Sequence, residues 1–444
     1  MTKLVAVLAI CIVAPLVLGR VKGAIFNISV FAFLFPRTLH ELNSVPLGTF
    51  GDLSTPNLTI TSYTIAVAVA LIGIFTAPPE HRTSRLPRAF WAVIIGSFAL
   101  LFYVWAPDSE SWSGMIAVLT GIGAWAAGSF VGRELFDDVD ITRFTAKLFS
   151  LILMIELAVE VLEYRRIHLP EQLTSTGRVT TADAGRVFGT IGHPANLSKI
   201  AFMMVVVLLV LALSSDRITR KYAYIGVTLA IPVVGMTVSR ANTVALVSLL
   251  VFWAFFASRG IPSTLRTIIV IGVGVGLGVF FQQFDSRIAE DPNGGARPEL
   301  LSAGIEQLWR SPYTGTGPNR YIDVVSKFSA DTALGYPVHN VFLFTACSIG
   351  IPLAILMFIP HVQLIVRSMR ARKQDPAALV VLMAAPGMLV ILLTGWAMMS
   401  MFLLVTWFFV AGAFFARISG QSSLSDDRTV EGETSHVRVT QRSL

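Results

Sequence analysis

A series of long apolar stretches, separated by short polar segments, recurs along this chain to about residue 417. A helix that spans the hydrocarbon core of a bilayer needs about 20 predominantly apolar residues, and most of these stretches approach that length. The pattern therefore predicts an all-α fold, a polytopic transmembrane helical bundle with about 12 or 13 crossings. The predicted spans are 3–19, 24–36, 59–77, 89–106, 112–131, 144–162, 196–214, 222–239, 241–257, 267–282, 338–358, 376–395 and 398–417.

The charge content supports a membrane protein. Only 14% of the 444 residues are charged, whereas a soluble protein of this length carries roughly a quarter. This excludes a soluble enzyme, a disordered chain and a water-soluble repeat array. The net charge of +7 is explained by Lys and Arg at cytoplasmic membrane ends, so no nucleic-acid partner is expected. Two cysteines in apolar segments, with no zinc spacing and no P-loop, predict neither a metal nor a cofactor.

Basic residues in short loops set the orientation. Segments 78–88, 215–221 and 359–374 are rich in Arg and Lys, which predicts that they face the cytoplasm. Two longer segments, 163–195 and 283–337, then face outward. Membrane lipids surround the spans between these loops.

The predicted domain boundary follows the last span. Residues 1–417 are expected to form one transmembrane domain that includes both outer segments. Residues 418–444 are polar and rich in Ser, Thr and charge, which predicts a disordered cytoplasmic tail.

Arginines in the outward-facing parts are the first candidates for binding. Arg186 lies in the first outer segment, Arg297 lies in the second, and Arg240 stands at the outer turn between two spans. Long loops can escape the positive-inside rule, which is one explanation. The other is a basic pocket for an anionic substrate, because the planar donor fork of Arg matches phosphate oxygens.

Two motifs of the second outer segment could carry chemistry. His339 and Asn340 stand where this segment enters an apolar stretch. Imidazole has a pKa near 6.5 and can act as a general base, although an interfacial His without a function is the alternative. Gly315 and Gly317 predict a tight turn whose backbone N–H groups could approach a phosphate, or a plain loop turn.

Glu156 and Glu160 lie four residues apart, on one face of the span 144–162. Carboxylates inside a membrane indicate a proton relay or a partner for Arg. An ion pair that only holds helices together is the other interpretation.

Together these segments resemble the O-antigen ligase and polymerase superfamily, whose members are bacterial polytopic transferases that act on lipid-linked sugars. The resemblance covers roughly residues 185–355. Its strongest element is the spacing of His339 and Asn340, followed after nine residues by Gly350. The other matching elements are the Gly-x-Gly of Gly315 and Gly317, the pair Ser239 and Arg240, and the stretch that contains Phe188, Gly189, Pro194 and Asn196.

The resemblance implies a GT-C-like fold and a metal-independent, inverting glycosyl transfer on the outer face of the bacterial inner membrane. The donor would be a glycan on a polyprenyl diphosphate such as undecaprenyl diphosphate, and no cofactor is implied. The acceptor would be a lipid or glycan hydroxyl, as in lipopolysaccharide biosynthesis. His339 is the expected base, Arg240 is the expected catalytic partner of the diphosphate, and Asn340 is expected to orient His339 or the sugar. The expected substrate-binding residues are Arg186, Arg297, Asn340, Gly315 and Gly317.

The sequence leaves other functions open. Leu353 and Val244 depart from the ligase pattern, so a repeat-unit polysaccharide polymerase of the same superfamily is an alternative to a ligase. A transporter or flippase of an anionic lipid-linked sugar is a second alternative, with Glu156 and Glu160 as coupling residues. A membrane protein of assembly without catalysis is the third.

Overall fold

The computed structural model describes residues 2–41, 59–76, 86–167, 187–257, 274, 296–395, 399–400 and 402–420. In these ranges the chain is mainly helical, with one antiparallel pair of strands, β1 (Thr38–Glu41) and β2 (Thr59–Thr61). Helices α2 and α4 continue as π-helical turns over Ser29–Leu34 and Leu101–Trp105. In chain order, the helices are α1 (Thr2–Leu18), α2 (Arg20–Ile28), α3 (Ser62–Phe75), α4 (Arg88–Leu100), α5 (Ser109–Asp137), α6 (Val139–Tyr164), α7 (Pro194–Leu211), α8 (Arg217–Met236), α9 (Arg240–Phe256), α10 (Arg297–Arg310), α11 (Tyr321–Val325), α12 (Ala330–Ala333), α13 (Val341–Ile349), α14 (Ile351–Ala371), α15 (Pro376–Thr394) and α16 (Phe402–Gly420).

Six helices are long and apolar enough to cross a membrane: α4 with its π-helical extension, α5, α7, α14, α15 and α16. The shorter helices α1, α3 and α9 are apolar as well. The prediction of a helical polytopic membrane protein is therefore confirmed. The predicted span 267–282 lies outside the described residues, so the count of about 12 or 13 crossings stays a prediction.

The predicted span 338–358 is wrong as a single helix. Its residues divide into α13 and α14, which meet at Gly350. Gly350 has φ 81° and ψ 156°, a backbone conformation that essentially only glycine adopts. Pro352 then starts α14 without a backbone N–H. Helix α14 continues to Ala371, through most of the segment 359–374 that was predicted as a loop.

The C-terminal boundary also differs slightly from the prediction, because α16 runs to Gly420 rather than ending at residue 417. The rest of the predicted tail, 421–444, lies outside the described residues.

Aspartates begin several of these helices, because a carboxylate can accept hydrogen bonds from the open N–H groups of the first turn. The capping residues are Asp108 of α5, Asp138 of α6, Asp216 of α8 and Asp375 of α15. Two of these caps also meet arginines: Arg143 lies 3.2 Å from Asp216, and Arg417 lies 3.5 Å from Asp375. The caps therefore set where the helices begin and also join neighbouring helices.

Small residues allow the central helices to pack closely. In α5, a Cβ at Gly128 or Gly132 would overlap the backbone of α16 at Phe409 or Ala413. Helix α7 is the most enclosed of the six long helices, with 83% of its apolar window buried. It packs against α6, α8, α9 and α15. A polar side chain on α7 is therefore held inside the protein rather than in lipid.

The second outer segment lies on the same side of the bundle as the turn before α5. Arg320 donates from Nη1 to the Trp105 carbonyl at 3.0 Å and lies 3.2 Å from Asp108. The Trp105 indole donates to the Thr314 carbonyl at 2.8 Å. These contacts place the start of α5 and residues 314–320 of segment 283–337 on one face of the bundle.

Candidate active site

The N-terminus of α13 presents the His-Asn pair. Asn340 is the N-cap of this helix, and its Oδ1 accepts a hydrogen bond from the Leu343 N–H at 3.0 Å. Because Asn340 is the cap, α13 begins at Val341, and His339 lies on non-helical backbone just before the first turn. The structure gives Asn340 a capping role, and its orientation of His339 or the sugar stays a prediction.

The surroundings of His339 favour a neutral imidazole. Its Nδ1 is enclosed, and no described residue hydrogen-bonds to that atom. Burial lowers the pKa of His339 to about 4, the charges of Arg297 and Lys199 act in the same direction, and the Pro337 carbonyl opposes them. A neutral imidazole has a free lone pair at pH 7, which is the form that a general base needs.

Helix α10 carries Arg297, whose positive charge acts on His339. It begins at Arg297, with Pro298 in the first turn, and packs across α13. The packing is close at Gly304, where a Cβ would lie 3.1 Å from the side chains of both Val338 and Leu343. The Cys347 thiol donates to the Gly304 carbonyl at 3.1 Å, which fixes the crossing point. Arg297 itself is exposed at the free end of α10.

The predicted glycine turn packs at the other end of α13. The N–H groups of Thr316 and Gly317 donate to the Cys347 and Ser348 carbonyls at 2.8 and 2.9 Å. A Cβ at Gly315 would lie 2.6 Å from the Ser348 carbonyl oxygen and from the Gly350 nitrogen. This turn contacts α13 about 12 Å from Asn340, at 1.5 Å per helical residue. The structure thus gives Gly315 and Gly317 a packing role, and their binding of substrate stays a prediction.

The first turns of α7 and α9 are joined by a buried amide. Asn242 Nδ2 lies 2.6 Å from the Ser198 hydroxyl, 2.8 Å from the Ser239 hydroxyl and 2.9 Å from the Ala195 carbonyl. Arg240 is the first residue of α9 and is half-buried. The network therefore places Arg240 beside the start of α7.

The backbone just before Arg240 is strained. Val238 has φ 51°, a left-handed conformation that a β-branched residue rarely adopts. Such strain is typical of functional sites, where the surrounding structure holds it in place. Here it turns the chain sharply between α8 and α9, so that Ser239 and Arg240 begin the new helix at once.

Carboxylates of α6 hold the segment that leads into α7. Glu163 accepts hydrogen bonds from the Phe188 and Gly189 N–H groups at 2.7 and 3.0 Å. Glu156 accepts from the Thr190 N–H at 2.9 Å and from its hydroxyl. The Arg37 guanidinium donates to the Thr190 carbonyl at 3.1 Å and interacts electrostatically with Glu156.

Glu156 therefore has a structural explanation within the bundle. Glu160, the other predicted coupling residue, is fully buried, and neither of its oxygens has a hydrogen-bond partner among the described residues. The proton relay suggested for this pair stays a prediction.

Lys199 is a residue that the sequence reasoning missed. It is buried on α7, and its charge acts on His339. A single Lys inside the otherwise apolar run 197–211 was the available signal, because an ionisable residue in a membrane helix is a functional candidate.

An apolar groove of 330 Å³ runs along α13 and α14. It is lined by Phe342 and Ala346 of α13 and by residues of α14 that include Ile351, Ile355 and Val362. Ile351 and Val362 lie about 17 Å apart along their helix. Phe342, three residues after His339, packs on Phe358 with 4.9 Å between ring centroids, so the groove lies between α13 and α14.

The structure brings part of the predicted set together. His339 and Asn340 lie at the start of α13, where the charge of Arg297 acts on His339. Arg240 lies at the start of α9, which is hydrogen-bonded to the first turns of α7, the helix that carries Lys199. Arg186 lies outside the described residues. Among those that are described, no group of three or more His, Cys, Asp and Glu side chains could hold a metal ion. Whether the reaction is independent of metal stays a prediction.

A comparison with protein families finds a match for the segment that carries this site. Residues 184–358 match the family model described as O-antigen ligase, which covers α7 to α13 and the first part of α14. No match is found among curated proteins. The match confirms the resemblance drawn from His339, Asn340 and Gly350: residues 184–358 of this polytopic membrane protein are similar to the O-antigen ligase family.

Proposed function

We propose that this protein is a membrane glycosyltransferase that moves a glycan from a polyprenyl-diphosphate donor to an acceptor hydroxyl. The transfer is of the O-antigen ligase type, inverting and independent of metal. It takes place on the outer face of the bacterial inner membrane, as in lipopolysaccharide biosynthesis. The acceptor is a lipid or a glycan.

The observation that carries this proposal is the environment of His339 inside the segment that is similar to the O-antigen ligase family. The imidazole stands just before the first turn of α13, where burial and two cations favour its neutral form. A neutral imidazole supplies the base, and the neighbouring cations suit an anionic leaving group.

The chemistry assigns one role to each group. The His339 lone pair takes the proton of the acceptor hydroxyl as the oxygen attacks the anomeric carbon. The bond from that carbon to the diphosphate breaks, and its electron pair stays on the phosphate oxygen. Arg240 and Arg297 stabilise the charge that develops there, because fixed donors in a water-poor site need no reorganisation during the step. Arg186 is a further donor in this proposal.

The apolar groove on α13 and α14 supports a lipid-linked donor. Every residue that lines it is apolar, and its length of about 17 Å suits several isoprene units of a polyprenyl tail. A tail in this groove would leave its diphosphate near Phe342, close to His339. The lipid therefore stays in the membrane while its head group reacts at the surface.

Glycan transfer by the purified full-length protein in liposomes tests the proposal. The assay supplies a polyprenyl-diphosphate oligosaccharide and a lipid acceptor, with EDTA present. We expect the wild type to transfer, and His339→Ala to transfer about 10²–10⁴-fold more slowly, as for the loss of a general base. Arg240→Ala should also be strongly impaired. His40→Ala is the matched control, because His40 is exposed on β1 and should keep the wild-type rate.

Several outcomes would change the assignment. Equal rates for the wild type and a folded His339→Ala protein would remove the proposed base. Movement of the donor across the bilayer without transfer would favour a flippase. A ladder of products with many repeat units would assign a polymerase, whereas a single added glycan would assign a ligase.

A further inference from the structure

Lys199 is an unusual residue for the centre of a membrane bundle. Its side chain lies on α7 and is only 5% exposed. Among the described residues it makes no hydrogen bond and no ion pair. An ammonium buried without a partner is costly, and such residues in membrane helices are usually functional.

The space beside the Lys199 ammonium is left open by a glycine. Gly395 follows directly after α15, and a Cβ at this position would lie 3.4 Å from Nζ of Lys199. Gly395 has an extended backbone, φ −150° and ψ 147°, that any residue could adopt. The backbone therefore does not require glycine there. The missing side chain instead leaves room next to Nζ.

The polar groups near Lys199 on α7 are already engaged with one another. Ser198 and the Ala195 carbonyl both lie within hydrogen-bond distance of Asn242. Lys199 interacts electrostatically with His339 before α13, and Arg297 at the start of α10 acts on the same imidazole. No described carboxylate acts on His339. The counter-charge for these cations is therefore expected from a ligand.

The position of Lys199 relative to His339 indicates what that ligand is. The positive charges of Lys199 and Arg297 both act on the His339 imidazole. They come from different elements, α7 and α10. The residue before Lys199, Ser198, lies 2.6 Å from Asn242 Nδ2 on α9, two residues after Arg240. An oxyanion placed between these groups would be adjacent to the proposed base.

We propose that the Lys199 ammonium binds a phosphate oxygen of the lipid-linked diphosphate beside His339. This inference rests on the proposed function. With the diphosphate bound, Lys199 is protonated and stabilises the negative charge that the diphosphate gains when the bond to the anomeric carbon breaks. The proton of the acceptor goes to His339, not to Lys199, and the electron pair of the broken bond stays on the phosphate.

Binding of sugar-free polyprenyl diphosphate to the purified full-length protein tests the proposal without any transfer step. Lys199→Met keeps the length of the side chain and removes its charge. We expect it to weaken binding of the diphosphate by about 10- to 100-fold, as for the loss of one charge-assisted hydrogen bond. Lys199→Arg should retain most of the affinity. Lys327→Met, an exposed lysine of the second outer segment, is the matched control and should bind as the wild type does.

Two ligands identify the anion. Polyprenol, which has no phosphate, should bind the wild type and Lys199→Met equally. An acidic oligosaccharide without lipid tests the other source of an oxyanion, the carboxylate of a sugar. A loss of binding confined to this oligosaccharide would overturn the assignment to phosphate.

A second variant keeps the test valid if Lys199→Met does not fold. Gly395→Val retains Lys199 and fills the space beside Nζ, so it should also weaken binding of the diphosphate. Wild-type affinity in a folded Lys199→Met protein, or in Gly395→Val where Lys199→Met does not fold, would overturn the proposal. A protein that binds diphosphate through Lys199 but transfers no glycan would refute the proposed function and leave this site in place.

Discussion

Replacing Gly350 with alanine tests how the fold holds His339. Gly350 separates α13 from α14 with φ 81° and ψ 156°. A Cβ there would overlap the Tyr313 carbonyl oxygen and lie 2.9 Å from the Thr314 nitrogen. Both are backbone atoms of the turn that packs on α13, so no side chain can rotate away to relieve the clash.

The cost of this substitution has two parts. The backbone conformation of Gly350 is essentially restricted to glycine, and imposing it on alanine costs about 1–3 kcal/mol. Moving the turn away strains three backbone hydrogen bonds, which join Ile351 to Pro312, Thr316 to Cys347 and Gly317 to Ser348 at 2.8, 2.8 and 2.9 Å. Each is worth about 1 kcal/mol. We expect the free energy of unfolding to fall by about 4–6 kcal/mol.

The assay is the apparent melting temperature of the purified protein, measured at one scan rate, together with glycan transfer. Gly235→Ala is the matched control, because no atom lies within 4 Å of a Cβ at that position and the residue is helical. Gly350→Ala should melt clearly lower and lose transfer, since α13 carries His339, while Gly235→Ala should match the wild type or exceed it slightly. Equal melting temperatures for Gly350→Ala and the wild type would refute this account of the motif.

Two further predictions concern the base and the α7–α9 contact. Because the pKa of His339 is lowered to about 4, kcat/KM should stay high as the pH falls towards 5 and decline only near pH 4. Bound diphosphate offsets the neighbouring cations and raises the pKa of His339, so the decline of kcat should begin at higher pH. A decline of kcat/KM near pH 6.5 would contradict the proposed environment of His339. Asn242→Leu should lower the free energy of unfolding by about 1–3 kcal/mol, because it removes the amide that joins Ser198 and the Ala195 carbonyl to α9. A thermal melt measures this, with Asn196→Ala as control, since the Asn196 Oδ1 has no described hydrogen bond; equal effects of the two substitutions would argue against the contact.

Much of the fold could be predicted from local pattern. The apolar stretches corresponding to α4, α5, α7, α15 and α16 were found within a few residues of their ends, because spanning a bilayer imposes a minimum apolar length. The helix break at Gly350 was missed. An apolar run has the same hydropathy whether or not it contains a helix break. The break depends on the turn that packs against Gly350.

The candidate site was predicted in part for a similar reason. His339 and Asn340 were identifiable because a polar pair at the start of an apolar stretch stands out in the sequence. Their neighbours could not be found in this way, since Lys199 and Arg297 come from segments 140 and 42 residues earlier in the chain. Gly315 and Gly317 were expected to form a tight turn, and the structure packs this turn against the end of α13 away from His339.

The sequence by itself determined the class of protein, the approximate spans and the family resemblance, because hydropathy and the His-Asn-Gly spacing are properties of neighbouring residues. Only the tertiary structure decided which charges act on one another. In the folded protein the charges of Lys199 and Arg297 both act on the His339 imidazole, and Gly395 lies beside the Lys199 ammonium. The physical reason is that electrostatic interactions depend on distance and burial in space, and helix packing sets both.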